Sequence, residues 1–294
     1  LHSQNGETRA AFINSLRKEF GQAILEKTNL EYTARGVTNF LMKGRHNLSG
    51  GDLQIDWELS PTISKMNEPD IRLTSFEINP DSGVYELNPS TAGLPTRTYR
   101  NLDENNYAGK FDITIKKEAK NGTKNKIKLG ASSVYKDRDF RILDYNFALH
   151  KRGTFVLSGD PDEIFEEENL WTVERDRGLF VDGAFEPSKS YEAQQTIHGA
   201  YVMNEMQFKN GFKAIYGLRV EKADNWYTGR KQFVIDPETD LFDNRKVLDE
   251  LDLLPSLSFV KPLRDEESKT MNLRFSASRT LARPTFKEKS IAQI

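Results

Sequence analysis

Leu53-Gln54-Ile55-Asp56-Trp57-Glu58-Leu59-Ser60 alternates apolar and polar residues without a break. Successive side chains of a β-strand point to opposite faces, so Leu53, Ile55, Trp57 and Leu59 share one face and Gln54, Asp56, Glu58 and Ser60 the other. The stretch is expected to be a strand with one greasy and one wet side. Upstream, Leu30, Tyr32, Ala34, Gly36, Thr38, Phe40 and Met42 alternate with Glu31, Thr33, Arg35, Val37, Asn39, Leu41 and Lys43. Downstream, Tyr107, Gly109, Phe111, Ile113 and Ile115 alternate with Lys110, Asp112, Thr114 and Lys116. After Asn121-Gly122 comes Ile127, Leu129 and Ala131, an expected hairpin whose Asn-Gly pair suits the positive φ of a tight turn. Ile197, Gly199, Tyr201 and Met203 form another expected apolar face, followed after Lys209-Asn210-Gly211 by Ala214, Tyr216, Leu218 and Val220. The last pair covers 253–262 and 271–280, with Leu257, Phe259, Leu273, Phe275 and Ala277 on its apolar side.

About eight long strands are therefore expected in an all-β antiparallel protein. Their connections alternate in length. Short turns fall at 47–52, 119–124, 209–211 and 263–269, and long segments at 67–104, 149–189 and 229–250. Transmembrane β-barrels have short turns at one rim and long loops at the other. The expected fold is a partial barrel of that kind, its longer strands projecting beyond the bilayer as a collar. Residues 1–27 differ: Leu16, Phe20, Ala23 and Ile24 recur at helical spacing behind Thr8, so a loop segment with a helix is expected on the long-loop side, with a strand as the alternative. A soluble antiparallel sandwich, or a small barrel serving as a binding or adhesion module, would show the same alternation. Sandwich turns, however, recur about every 8 to 12 residues, more often than here.

Composition removes several functions. Lys+Arg at 42 against Asp+Glu at 44 gives a formal charge of −2, which leaves no electrostatic case for nucleic-acid binding. The absence of cysteine removes disulfides, thiolate metal sites and cysteine nucleophiles. No apolar run approaches the roughly 18 residues of a membrane-spanning helix. A mean hydropathy of −0.66 is compatible with a barrel, whose strands alternate lipid-facing and lumen-facing residues.

Several stretches carry a family resemblance: Tyr32-Thr33-Ala34-Arg35 through Gly44-Arg45-His46, Leu53-Gln54-Ile55-Asp56-Trp57 with Asn67-Glu68-Pro69-Asp70, and Asn105-Asn106-Tyr107-Ala108-Gly109-Lys110-Phe111. Leu254-Pro255-Ser256-Leu257 and the run from Asn272-Leu273-Arg274-Phe275 to Thr280-Leu281-Ala282-Arg283-Pro284 are the most specific. In their order and spacing these resemble TonB-dependent receptors of the Bacteroidota type, from Leu30 to the C-terminus. The resemblance implies a 22-stranded barrel in the bacterial outer membrane, in contact with outer-membrane lipid and closed by a plug domain of the same polypeptide. Through the plug, TonB would energise uptake of a small-molecule, glycan or peptide ligand, with a surface lipoprotein as a further expected partner. No plug or TonB box is recognisable before Leu1 and no aromatic-ended closing strand follows Ile294, so an internal fragment of one barrel domain is expected.

Catalytic chemistry finds no footing in the sequence. His2, His46, His150 and His198 are scattered without metal-ligand spacing, no cofactor motif occurs, and Ser256 and Ser276 lack a nucleophile elbow. Asp160, Asp162, Glu163 and Glu166-Glu167-Glu168 offer hard oxygens for Ca²⁺ but lack an EF-hand's glycine and spacing, and read as a solvated acidic loop. Asp56 and Glu58 read as lumen lining and not as a glycosidase pair. Ligand contact is expected at Trp171 and Trp226, whose rings suit a sugar or another flat group, with Tyr227 and Arg230 beside the second. Girdle or loop packing is the alternative for these rings. Arg279 and Arg283 are expected near the rim, paired with loop acids or an anionic ligand.

Overall fold

The computed structural model of the chain describes residues 2–17, 24–79, 81–151, 157–183, 187–266 and 269–289. Its strands are β1 (His2–Arg17), β2 (Ile24–Asn39), β3 (Met42–Leu48), β4 (Leu53–Ile78), β5 (Tyr85–Glu86), β6 (Thr96–Glu118), β7 (Lys124–His150), β8 (Gly178–Val181), β9 (Tyr191–Gln207), β10 (Lys213–Arg230), β11 (Leu241–Glu266) and β12 (Lys269–Ser278). Two one-turn α-helices, α1 (Pro237–Asp240) and α2 (Phe286–Lys289), and four three-residue 3₁₀ turns complete the described elements. The long strands form one antiparallel sheet in the order β1-β2-β4-β6-β7-β9-β10-β11-β12. β3 and β5 pair with β4, and β8 with β7. The order follows the chain, as hairpin-connected strands require. β1 and β12 are the two edges, so the sheet is an open section of barrel wall.

β4, β6, β7 and β11 run for 26, 23, 27 and 26 residues. The roughly 9 to 11 residues that cross a bilayer account for less than half of each. These lengths shorten the expected long segments, because β4 continues to Ile78, β6 begins at Thr96 and β11 begins at Leu241. The connections that remain are 79–95, 151–190 and 231–240, which alternate with the short turns, while the six-residue connection 18–23 between β1 and β2 falls at the same end as the long ones. Residues 1–27 are a correction. β1 pairs with β2 residue for residue from His2 opposite Asn39 to Arg17 opposite Ile24, so the segment around Thr8 and Leu16 is strand, not helical loop. Pairing along the whole length of β2 overrides a weak 3.6-residue spacing; Phe20 and Ala23 lie outside the described residues.

β2 and β3 are one strand interrupted at Phe40-Leu41. Asn39 stands opposite Thr62 and Met42 opposite Leu59, so the register is unbroken. Phe40 N–H donates to the Pro61 carbonyl at 2.9 Å, but proline has no N–H to return the bond, and the ladder lapses there. Beyond Glu68, a register shift places an extra β4 residue at Pro69-Asp70. A bulge of this kind reverses which side chains share a face, so Arg72 and Phe76 lie on the side that Leu59 and Ile63 occupy below.

The register assigns every strand two faces. Leu59, Phe111, Val202 and Leu253 share one, with 47, 45, 48 and 51 % of their surface exposed. On β9 this face holds Ala200, Val202 and Met206, which corrects the expected set: Ile197, Gly199, Tyr201 and Met203 occupy the opposite, polar face. Both sets on β9 are fairly apolar, and its neighbours decide between them, since Tyr201 meets the Asp112 carboxylate across the sheet. Two buried clusters stand toward the long-loop end, one on each face. Phe140, Ile142, Tyr191, Ala193, Tyr227 and Phe286 pack on the polar side. Phe76, Phe147, Leu157, Ile164 and Leu179 pack on the other, where loop residues cover the strand ends.

Gly44 lies directly opposite Trp57. A Cβ there would sit 2.5 Å from Trp57 Cε2 and Nε1, whereas at Gly109 it would meet Leu59 Cδ2 at 3.4 Å. The indole N–H donates to His46 Nε2 at 3.2 Å, which ties the ring to β3. Gly44→Ala is therefore expected to displace the indole and cost about 1–3 kcal/mol, the usual overpacking range. The thermal midpoint of the folded, heat-modifiable band should fall for Gly44→Ala and stay near wild type for Gly109→Ala.

Candidate functional site

The polar face is a series of partnered charges. Asp112, on β6, accepts Tyr201 Oη at 2.6 Å and lies 3.0 and 3.3 Å from the ammonium groups of Lys110 and Lys128. Gly130 makes room for it, since a Cβ would come within 2.3 Å of the carboxylate. Arg219, on β10, donates through Nε to Glu221 at 2.9 Å and through Nη2 to Ser132 at 3.1 Å, passing over Gly199. Nearer the long loops, Glu68 accepts Thr33 Oγ1 at 3.1 Å and pairs with Arg100 at 3.0 Å. Glu104 accepts Arg138 Nε at 2.8 Å. Removing these groups from water is costly unless each is paired, and alternation places them where they reach across one or two strands.

A segment from Arg279 to α2 lies on this face. Arg279 N–H donates to the Pro255 carbonyl at 3.1 Å, in register with the β11–β12 ladder and just beyond its last pair. The Arg283 guanidinium bridges Glu221 and Asp252, at 3.0 Å from the latter, with only 11 % of its side chain exposed. Thr285 N–H donates to Glu288 Oε2 at 2.6 Å, and Glu288 N–H to Thr285 Oγ1 at 3.4 Å, a reciprocal cap at the start of α2. Phe286 enters the polar-side cluster beneath the Arg138 guanidinium, 5.4 Å from its ring centre. Arg279 and Arg283 thus meet carboxylates of β10 and β11, not loop acids. Arg283→Met removes the cation between Glu221 and Asp252, leaving Glu221 to Arg219 and Asp252 to the more exposed Arg279, and is expected to destabilise the fold by about 1–3 kcal/mol. Adding Glu221→Gln and Asp252→Asn should recover most of that loss in the same melting assay.

The four expected ligand contacts do not converge. Trp171 sits in the 157–183 segment, its N–H on the Leu179 carbonyl at 2.8 Å and its ring edge-on to His150 at 5.7 Å. Trp226 lies on β10 under the Lys246 ammonium, 5.7 Å from the ring centre. Tyr227, next in the strand, faces the other way and is buried, stacked on Tyr191 at 5.5 Å. Arg230 ends β10 opposite Leu241, with its Nε buried and without a hydrogen-bond partner among the described residues. Sequence proximity joined Trp226 to Tyr227, but strand parity separates them.

The acidic loop is bound into the collar. Asp162 pairs with Arg72, Asp160 accepts the Asp162 N–H at 2.9 Å, and Glu163 accepts Ser158 N–H and Oγ at 2.7 and 2.8 Å. At the bulge, burial alone would raise the Asp70 carboxyl, but hydrogen bonds from Arg97 and Arg72 outweigh it and hold the group below the ordinary aspartate value. Among the described residues no cluster of three or more His, Asp or Glu side chains is placed to hold a metal.

Asp240 organises the 231–240 loop and was not visible from motif or period. One oxygen accepts Lys231 Nζ at 2.7 Å, and the other accepts Ile235 and Asp236 N–H, both at 2.9 Å. The Lys231 bond, followed by the Asp236 and Ile235 amides, pushes its carboxyl far below the ordinary 3.8. A carboxyl with a depressed folded-state pKa adds stability above its unfolded value, and loses it as pH falls through the folded one. The Ile235 and Asp236 amides should therefore stay protected from hydrogen exchange below pH 3.8. In Asp240→Asn they should exchange faster already at neutral pH.

No protein-family model matches the chain, and no curated protein matches it. Among solved structures, the ferric citrate transporter FecA in its unliganded form overlaps 88% of this chain at 10% identity and a TM-score of 0.38. The chain spans 37% of that transporter's length. A similarity of this size decides neither fold nor function.

Proposed function

We propose that the chain is a section of an outer-membrane β-barrel wall, belonging to a receptor for TonB-dependent uptake of a scarce nutrient such as a siderophore, glycan or peptide. The observation that carries the membrane reading is the apolar band. On β4 it occupies 53–63, and register extends it through Ile115 to Tyr107, Ile127 to Tyr135, and Leu253 to Phe259. Eleven residues give about 33 Å of strand, which at a tilt of about 40° is about 25 Å of height, that of a barrel's apolar belt. Aromatic residues mark its margins: Tyr107 stacks on Tyr135 toward the loops, and Phe212, Phe259 and Phe275 stack in a row toward the turns. Rows like these suit the two membrane interfaces.

A sandwich would bury the band against a second sheet, and no described residue covers it. Exposed to water it would be a very large apolar patch for a soluble protein. Uptake rests on less, namely the family resemblance of the sequence, the polar opposite face and the loop collar. In this reading a plug of the same polypeptide fills the lumen, and a flat ligand meets exposed loop aromatics such as Trp171; Trp226, on the outer face of β10, Tyr227, buried on the polar side, and Arg230, at the strand end, are not gathered at one site. Nothing in the polar face calls for a chemical reaction, and we read the protein as a transporter and not an enzyme.

Fractionation of cells making the full-length protein tests the membrane reading. The protein should pellet with outer membranes, require detergent for release, and migrate faster unheated than boiled. Release by salt or carbonate without detergent would overturn the barrel and restore the soluble module.

A further inference from the structure

The short-turn end of the polar face carries charge that the sheet does not neutralise. Residues 116–128 contain six lysines and one glutamate. Lys128 pairs with Asp112. Lys116, Lys120, Lys124 and Lys126 are exposed, and none has an ion pair with a described residue. Lys116 and Lys126 stand directly opposite each other across β6 and β7. Lys116 directs its N–H to the Asp52 carbonyl on the β4 side at 2.7 Å. The lysine pair is thus the closely spaced, non-hydrogen-bonded kind, with Cα atoms about 4.5 Å apart. Like charges so placed are destabilising. Lys124 stands opposite Glu118 across the same hairpin, and the carboxylate opposite Lys126 on its other side, Glu205, is taken by Lys213 at 2.8 Å. A groove of about 680 Å³ lies between these side chains, lined by Lys116, Lys124 and Lys126 together with Asp52, Glu118 and Glu205.

We propose that this lysine cluster is a docking surface for an acidic polypeptide segment. Lys116, Lys124 and Lys126 share the face of Asp112, opposite Ile115 and Ile127. Given the membrane reading above, on which this inference rests, lipid meets the other face and its phosphates do not reach them. Spacing favours a polypeptide over a small anion. Lys124 and Lys126 lie two residues apart on one strand, about 7 Å, which is also the spacing of alternate carboxylates on an extended acidic segment. Several carboxylates at that interval would answer Lys116, Lys124 and Lys126 together and relieve the repulsion across β6 and β7.

The test is zero-length carbodiimide cross-linking of the full-length protein in native outer membranes, with mass spectrometry of the joined peptides. Amide links from Lys116, Lys124 or Lys126 should lead to aspartates or glutamates of one acidic segment outside residues 1–294. They should fall to background in 0.5 M salt, roughly where screening shortens to a few ångströms, and in the Lys116→Gln, Lys124→Gln, Lys126→Gln triple variant. That variant removes a repulsion from exposed positions, so it should keep the wild-type gel shift and confirm that the wall still forms. Links confined to Glu118, Glu205 or Asp52 would overturn the proposal, as would binding of the lysines to vesicles of anionic phospholipid with no peptide link. If the protein instead fractionates as soluble yet still forms the acidic-segment links, the barrel reading fails and the docking surface stands.

Discussion

Asn39 faces Thr62, Ile63 faces Asn105, and Asn105 faces Asp137, and this continuity of backbone pairing determines which side chains meet across the sheet. A slip of one residue in any strand would carry Leu59, Phe111 or Leu129 to the charged side and Asp112 or Glu221 to the apolar one. Each such exchange would place an unpaired carboxylate among aliphatic groups. Register is therefore held from both faces at once along the apolar band, and the shifts among the described residues lie outside it, between β10 and β11 beyond Asn225, between β11 and β12 at Pro262, and in β4 at Pro69-Asp70. There the bulge delivers Phe76 to the loop cluster and Asp70 to Arg97 and Arg72.

The polar face obeys a second constraint. Strand alternation fixes where charged side chains start, and small residues decide how far they reach. Gly130 admits the Asp112 and Tyr201 contact, and Gly199 lets Arg219 cross to Ser132 and Glu221. The segment after β12 uses the same economy, with Arg283 answering two carboxylates from two strands and Phe286 closing the cluster above them. Because one cation serves two anions, the stability of α2's docking is tied to the wall and not to its own single turn, which is too short to persist alone.

How much of this was legible varies with the element. The period in 53–60 identified β4 outright, because only a strand separates Ile55 and Trp57 from Asp56 and Glu58. On β9 the period was right and the face was wrong, since Ile197 and Tyr201 are as apolar as Ala200 and Val202 and only the partner strand distinguishes them. β1 was hidden by chance helical spacing around Leu16. Loop lengths were overestimated because the collar ends of β4, β6 and β11 are charged on both faces and carry little alternation. The Trp226 and Tyr227 pairing failed for the simplest reason, that neighbours in a strand look away from each other. Asp240 and Glu221 needed three-dimensional partners to be noticed at all.

The two ends of the sheet differ in how completely they satisfy themselves. At the long-loop end, Asp70, Asp162, Glu163 and Asp240 each find cations or backbone amides within the described chain, and two apolar clusters close over the strand ends. At the short-turn end the hairpin of β6 and β7 sets Lys116 against Lys126, with Glu118 opposite Lys124 and with Glu205 of β9 engaged by Lys213. Turn chemistry does not demand this, because Asn121-Gly122 closes the hairpin with Thr123 N–H on Asn121 Oδ1 at 3.0 Å whatever flanks it. A sheet that pairs its charges so thoroughly at one end and not at the other has its unsatisfied surface where another chain would have to supply the difference.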